Sequence, residues 1–277
     1  MATLIHLMRN DLSQKSILLP NETKRIILKN YLQIYALDFL YNHPLYHKLN
    51  FYGGTCLHLV YNLNRLSEDI DLDNSNQVDL VSLENDLLTF FHSEFGDTKV
   101  SAKTQTGEWN VRRITLKFSI LYELGLTQFT NEPLHLKIEI SPHKQVSVIR
   151  KTPVLLIGKS FVVAHFSLET MMAGKMIACL ERNFQKGKGA MIKGRDFYDL
   201  LWFMQQRVQP LEEKLAKDGN QSYTIQSAMK MLKEKVETIR LSDLAEDLLP
   251  LFEQRSFIEA WLEGFKENFF EYLKNYQ

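Results

Sequence analysis

GGTCLHLVYNLNRLSEDIDLD, residues 53–73, carries the reading of the fold. Two adjacent glycines open a short helical run, Thr55 to Leu63, and a charged stretch then leads into a strand pattern around Asp69 to Leu72. Glycines at a helix start let backbone N–H groups approach a ligand closely, and the dipole at that end favours phosphate; Thr55 is placed to add a hydroxyl. In an extended segment residues two apart face the same way, so Arg65, Ser67, Asp69 and Asp71 line one side while Leu66, Ile70 and Leu72 line the other. Two neighbouring carboxylates repel unless a cation intervenes, so Asp69 and Asp71 beside a phosphate turn read as a site for magnesium or manganese.

Each half of this pattern has a plainer reading. A lone Gly-Gly is most often a turn, and a lone Asp-x-Asp a solvated strand edge. Their order, in phase with Arg65 and Ser67, favours a site. A third carboxylate would complete a two-metal arrangement, and Glu139, inside LKIEI, is the candidate, against the reading of a solvated strand residue. Asp73 continues the face and reads as a surface residue.

Outward from this core, residues 22–43 carry apolar side chains at helical spacing, with Asn21 as a cap, and a further helix is expected from Val78 to Phe95. Alternation through Val111, Ile114, Leu116 and Phe118 predicts a hairpin within 99–119, Leu134 to Ile140 reads as a strand, and Phe161 to His165 as another. Beyond residue 166 the periodicity is almost wholly helical: Ser167 to Phe184, Lys193 to Gln206, Gln226 to Ile239 and Ser256 to Asn275. The expected fold class is α+β: a mixed sheet with flanking helices over 1–166, and a helical bundle over 167–277 that completes an active-site cleft. QKGKGAMIKGR, 185–195, reads as a basic loop; Lys186, Lys188, Lys193 and Arg195 are candidates to contact an RNA backbone, with a merely solvated loop as the alternative.

Composition narrows the class. A 277-residue chain that is 45% hydrophobic supports a globular core. Its apolar runs are far too short to span a membrane and its first residues lack a signal-peptide pattern, so a cytoplasmic location is expected. Cys56 and Cys179 sit in apolar helical contexts and read as buried thiols, and the histidines show no metal-ligand spacing. With 33 basic and 33 acidic residues, any nucleic acid must be held by a local patch.

Four motifs in order, GGTCLHLVYNLNRLSEDIDLD, LKIEIS at 136–141, SLETMMAGKMIACLERN and KGRDFYDL, make the chain resemble the AbiEii/AbiGii toxin family of nucleotidyltransferases over about residues 50–205. The resemblance implies a polymerase-β-like N-terminal half, a helical C-terminal half, and transfer of a nucleoside monophosphate from a nucleoside triphosphate (NTP) to an acceptor such as a tRNA 3′ end. It also implies a cognate antitoxin protein and no membrane partner. Carried over by position, it makes Gly53, Gly54 and Thr55 the nucleotide-phosphate turn, Asp69, Asp71 and Glu139 the metal ligands, Lys175 a triphosphate-binding residue, and Asp196 a required acid. Gly54 departs from the Gly-Ser of the wider superfamily and supplies no hydroxyl, a role Thr55 is placed to take. Without the resemblance, Lys175 is an ordinary helix lysine and Arg195, Asp196 and Asp199 a helix-start ion-pair group. Rival readings are transfer to a protein acceptor, transfer of a terminal phosphate, or a non-catalytic nucleotide- or RNA-binding module; retention of Asp69, Asp71, Glu139, Lys175 and Asp196 argues against the last.

Overall fold

Leu134–Ser141 alternates buried Leu134, Leu136, Ile138 and Ile140 with more exposed neighbours, the signature of a strand with one face on a core. A computed structural model describes residues 3–96, 100–182, 184–186 and 189–276. In chain order the elements are α1 (Leu4–Gln14), α2 (Asn21–Asn42), β1 (Asn50–Tyr52), α3 (Gly53–Tyr61), β2 (Asp69–Asp73), α4 (Leu83–Phe95), β3 (Val100–Thr106), β4 (Arg112–Phe118), β5 (Leu134–Ser141), β6 (Ile149–Leu156) and β7 (Lys159–Phe166). There follow α5 (Leu168–Glu181), β8 (Phe184–Lys186), β9 (Gly189–Met191), α6 (Gly194–Gln205), α7 (Glu212–Lys217), α8 (Ile225–Thr238), α9 (Leu241–Leu248) and α10 (Arg255–Leu273).

Among the described residues a seven-stranded mixed sheet runs β3-β4-β5-β2-β1-β7-β6. β2 lies parallel to β5 and antiparallel to β1, so the acidic strand is central. One sheet face carries Ile70, Leu72, Ile114, Leu116, Ile138 and Ile140, all at most 1% exposed, and α2 and α4 pack on sheet strands in the same unit. β6 sits at the edge, where its Pro153 costs no interior ladder bond.

Two compact units emerge: residues 1–144 with 151–165, and residues 145–150 with 166–277. In the second, Phe197, Phe203, Phe265 and Phe269 form an aromatic core, each at most 2% exposed. No helix among the described residues is long and apolar enough to cross a membrane.

Several boundaries differ from the periodicity. Asn21 is the first residue of α2 and caps nothing by its side chain. α4 begins at Leu83 rather than Val78, because the Asn74 amide both accepts from Val78 N–H (2.7 Å) and donates to its carbonyl (3.1 Å), fixing a loop there. The expected basic loop contains the short antiparallel pair β8 and β9; Lys188 lies outside the described residues. β1 and β6 carried too few alternating residues to be read in advance.

Candidate functional site

The turn from β1 into α3 is shaped by what presses on it. Gly53 has φ +81°, a left-handed conformation costly to other residues, and a Cβ there would lie 2.2 Å from Asp71 Oδ2. A Cβ on Gly54 would lie 2.7 Å from Arg65 Nη2 and 3.0 Å from Ser67 Oγ. The glycines are therefore required by the acidic strand and by the residues leading into it. Arg65 and Ser67 precede β2 in the chain and are 3% and 8% exposed; Arg65 Nη1 also donates to the Leu66 carbonyl at 3.0 Å. Thr55 is buried and its hydroxyl donates to the Asp69 carbonyl at 2.5 Å, which fastens the start of α3 to the start of β2.

Asp69 and Asp71 share one face of β2. The parallel register sets Asp69 beside Lys137 and Asp71 beside Glu139, with Tyr52 of β1 on the other flank of Asp71. Burial pushes the Asp69 carboxyl up; Lys137 opposes that rise and the negative charges of Glu68 and Glu139 add to it. Glu139 Oε1 accepts from Arg113 Nε at 2.7 Å, an ion pair across β4 and β5 that the sequence did not announce.

Asp73 corrects its reading as a surface residue. It ends β2 at 1% exposure, and its Oδ1 accepts from Asn50 Nδ2 (3.0 Å) and from the Ser75 hydroxyl (2.6 Å). The Asp-x-Asp-x-Asp run thus divides into two half-buried acids beside the glycine turn and one structural acid.

Paired hard oxygen donors on one face fit a divalent cation that takes one or two carboxylates and fills its shell from substrate phosphates. Among the described residues no three His, Cys, Asp or Glu side chains converge as a closed cage. The donor set suits a metal brought together with its substrate better than a permanent structural ion.

The helical unit holds its own charged cluster. Ser167 caps α5, its side chain accepting from Thr170 N–H, and one helix face turns Lys175 toward α6. Lys175 Nζ lies 2.8 Å from Asp196 Oδ1 and 2.8 Å from Asp199 Oδ2, and Asp196 Oδ2 accepts from Arg182 Nη1 at 2.8 Å. Burial pushes the Asp196 carboxyl up, but Lys175 and Arg182 together outweigh it and hold the group at about 2. The sequence reading named Lys175 and Asp196 and missed Arg182 and Asp199 as their partners. The seven-residue step from Lys175 to Arg182, which keeps both on one helical face, was the available signal.

Arg195, a candidate for RNA contact, is instead engaged by Asp247 of α9: the carboxylate accepts from its backbone N–H (2.9 Å) and from Nη2 (2.9 Å). Burial lowers the Lys193 ammonium, and Arg182 and Arg195 add to the shift.

A solved structure from H. pylori, described as a candidate nucleotidyltransferase, is similar to this chain at 21% identity and a TM-score of 0.48, covering 91% of this chain and 92% of that one. No curated protein matches the chain. The profile of the nucleotidyl transferase AbiEii toxin, type IV toxin–antitoxin system, matches residues 37–275. The chain therefore belongs to the AbiEii toxin family: it is a nucleotidyltransferase of the type IV toxin–antitoxin class, a membership that brings with it a nucleotide substrate and an antitoxin partner.

Proposed function

We propose that the protein transfers a nucleoside monophosphate from an NTP to an RNA acceptor, the 3′ end of tRNA, in the cytoplasm. The observation that carries this reading is the pair Asp69 and Asp71, with the Asp71 carboxylate pressed against the Gly53 backbone. In the reaction an acceptor hydroxyl oxygen bonds to the α-phosphorus and gives up its proton to water, the α–β phosphoanhydride bond breaks, and pyrophosphate leaves with the electron pair.

Gly53, Gly54 and Thr55 hold the triphosphate by backbone N–H groups at the start of α3, where the dipole is positive. The buried guanidinium of Arg65, with Ser67, stands behind that turn and offsets phosphate charge. Asp69 and Asp71, with Glu139 as third acid, would hold magnesium or manganese. The metal would supply a lowered pKa at the attacking hydroxyl and charge neutralisation on pyrophosphate. Lys175 binds the triphosphate and Asp196 fixes the ammonium of Lys175, a role supported by their 2.8 Å contact.

The test is incubation of the purified protein with total tRNA, magnesium and each α-labelled triphosphate in turn, beside Asp69→Ala. Label entering tRNA from wild type and falling by about a hundred-fold or more in the variant is expected. Equal labelling by a folded variant sinks the assignment of Asp69, and labelled protein in place of RNA overturns the acceptor.

A further inference from the structure

A pocket opens in the sheet-bearing unit. It measures about 480 Å³ and is lined by Arg112, Thr104, Thr106 and Asn110 on one side and by Leu80, Ile140 and Pro142 on another, with Asn74 between. Register places it. Arg112 pairs with Ile140 and with Thr106, whereas Arg113 pairs with Glu139, so this pocket belongs to the sheet face opposite Asp71 and Glu139. It is distinct from the glycine turn.

Arg112 is unusual among the cations here. Among the described residues its side chain makes no ion pair and no hydrogen bond, and its Nε is buried without a partner. Acids stand near but are committed. Glu84 accepts from the Thr104 hydroxyl, Asp86 accepts from the Tyr46 hydroxyl at 2.5 Å, and Asp79 accepts from Val81 N–H at 2.9 Å. Tyr46 feels Asp86, Asp79 and Arg112 together, which places those charges in one neighbourhood. Three carboxylates against one guanidinium make the surroundings unwelcoming to a phosphate dianion. They tolerate a neutral group that presents two acceptors to the planar donor edge of Arg112.

A flat heterocycle meets both demands, since its faces suit the apolar wall of Leu80, Ile140 and Pro142. A third observation points the same way. Trp109, adjacent to Asn110 at the tip of the β3–β4 hairpin, is 79% exposed. Its carbonyl accepts from the His143 ring next to Pro142, and Trp109 and Asn110 are held at φ +56° and +55°. A large indole kept in solvent by a strained turn beside a pocket is suited to stacking on a base.

We propose that this pocket is a nucleobase-binding site for guanine, with Arg112 reading the two acceptors of the O6/N7 edge and Trp109 stacking on a ring face. The base can come from a free nucleoside or from an unpaired nucleotide of RNA. The inference does not rest on the proposed transfer reaction.

Equilibrium dialysis of the full chain with labelled guanosine, adenosine, and the single-stranded oligoribonucleotides UUGUU and UUAUU tests it. Guanosine, or UUGUU where the base must arrive in RNA, is expected to bind at least about ten-fold more tightly than its adenine counterpart. Arg112→Lys, which keeps the charge and removes the fork, should erase that preference. Trp109→Phe should remove the quenching of indole fluorescence that accompanies binding. Asp69→Ala should bind guanosine like wild type, which separates failure of this site from failure of the transferase reading. Binding of guanosine alone identifies a free nucleoside as the source, and binding of UUGUU alone identifies RNA. Absence of binding by both guanine probes, or a guanine preference that survives in a folded Arg112→Lys protein, overturns the proposal.

Discussion

Gly53 joins backbone geometry to chemistry at a single atom. An alanine there needs a left-handed conformation costing about 1–2 kcal/mol and drives its methyl group into the Asp71 carboxylate, 2.2 Å away. Gly53→Ala should therefore cut transfer by about a hundred-fold through displacement of Asp71, measured as label incorporated per minute, with the fold retained by circular dichroism. Asp69 is tuned in the other direction. Its charged form is opposed first by burial and then by Glu68 and Glu139, so in metal-free buffer Asp69→Asn should raise the melting temperature while abolishing transfer. A lower melting temperature would show that Asp69 is there for stability. These two residues were legible in the sequence, because spacing and residue type announce a glycine turn and a paired acid. The fate of Asp73 was not, since its burial follows from Asn50 and Ser75, and the short strand bearing Asn50 had no periodicity to reveal it.

Between α5 and α6 a lysine stands against two carboxylates that water hardly reaches: side-chain exposures are 14% for Lys175, 4% for Asp196 and 0% for Asp199. Removing the cation strands two buried negative charges, so Lys175→Met should cost about 3–5 kcal/mol in urea unfolding. Arg182, 52% exposed, makes a pair that solvent screens, and Arg182→Ala should cost at most about 1 kcal/mol. Similar losses in the two variants would contradict this ranking. The pH dependence has a definite sign. Asp196 titrates at about 2 in the folded chain against an ordinary 3.8, so its contribution of about 2 kcal/mol is present above pH 3.8 and is lost as pH falls through 2. Acid titration of Asp196→Asn should show a flatter fall in stability between those limits than wild type does. Helical periodicity located both elements within two or three residues, but it could not say which faces meet, and that is why Asp199 passed as part of a helix-start pair.

At the scale of the whole chain, the change of character near residue 166 was visible as strand alternation giving way to helical spacing. What periodicity could not show is that residues 145–150 also belong with the helices. They are tied there by backbone donors: Val146 N–H donates to Asp218 at 3.0 Å, Val148 N–H to the Thr170 hydroxyl at 3.0 Å, and Ser167 N–H to the Val148 carbonyl at 2.8 Å. Asp218 also receives Lys214, whose side chain is only 5% exposed, at 2.6 Å. Asp218→Ala should therefore destabilise the helical unit by about 2–4 kcal/mol and speed amide exchange at Val146, read by hydrogen-exchange mass spectrometry. Unchanged exchange at Val146 would mean that the segment is held by other contacts.

Because the chain enters the helical unit at 145, leaves it at 151 and returns at 166, neither unit is encoded by one uninterrupted stretch. An exchange of the helical unit between two relatives would need three crossovers, before residue 145, between 150 and 151, and between 165 and 166, to keep its parts matched. A single recombination at residue 166 would leave residues 145–150 from one parent to pair with Thr170 and Asp218 from the other. One crossover alone therefore cannot exchange the helical unit intact.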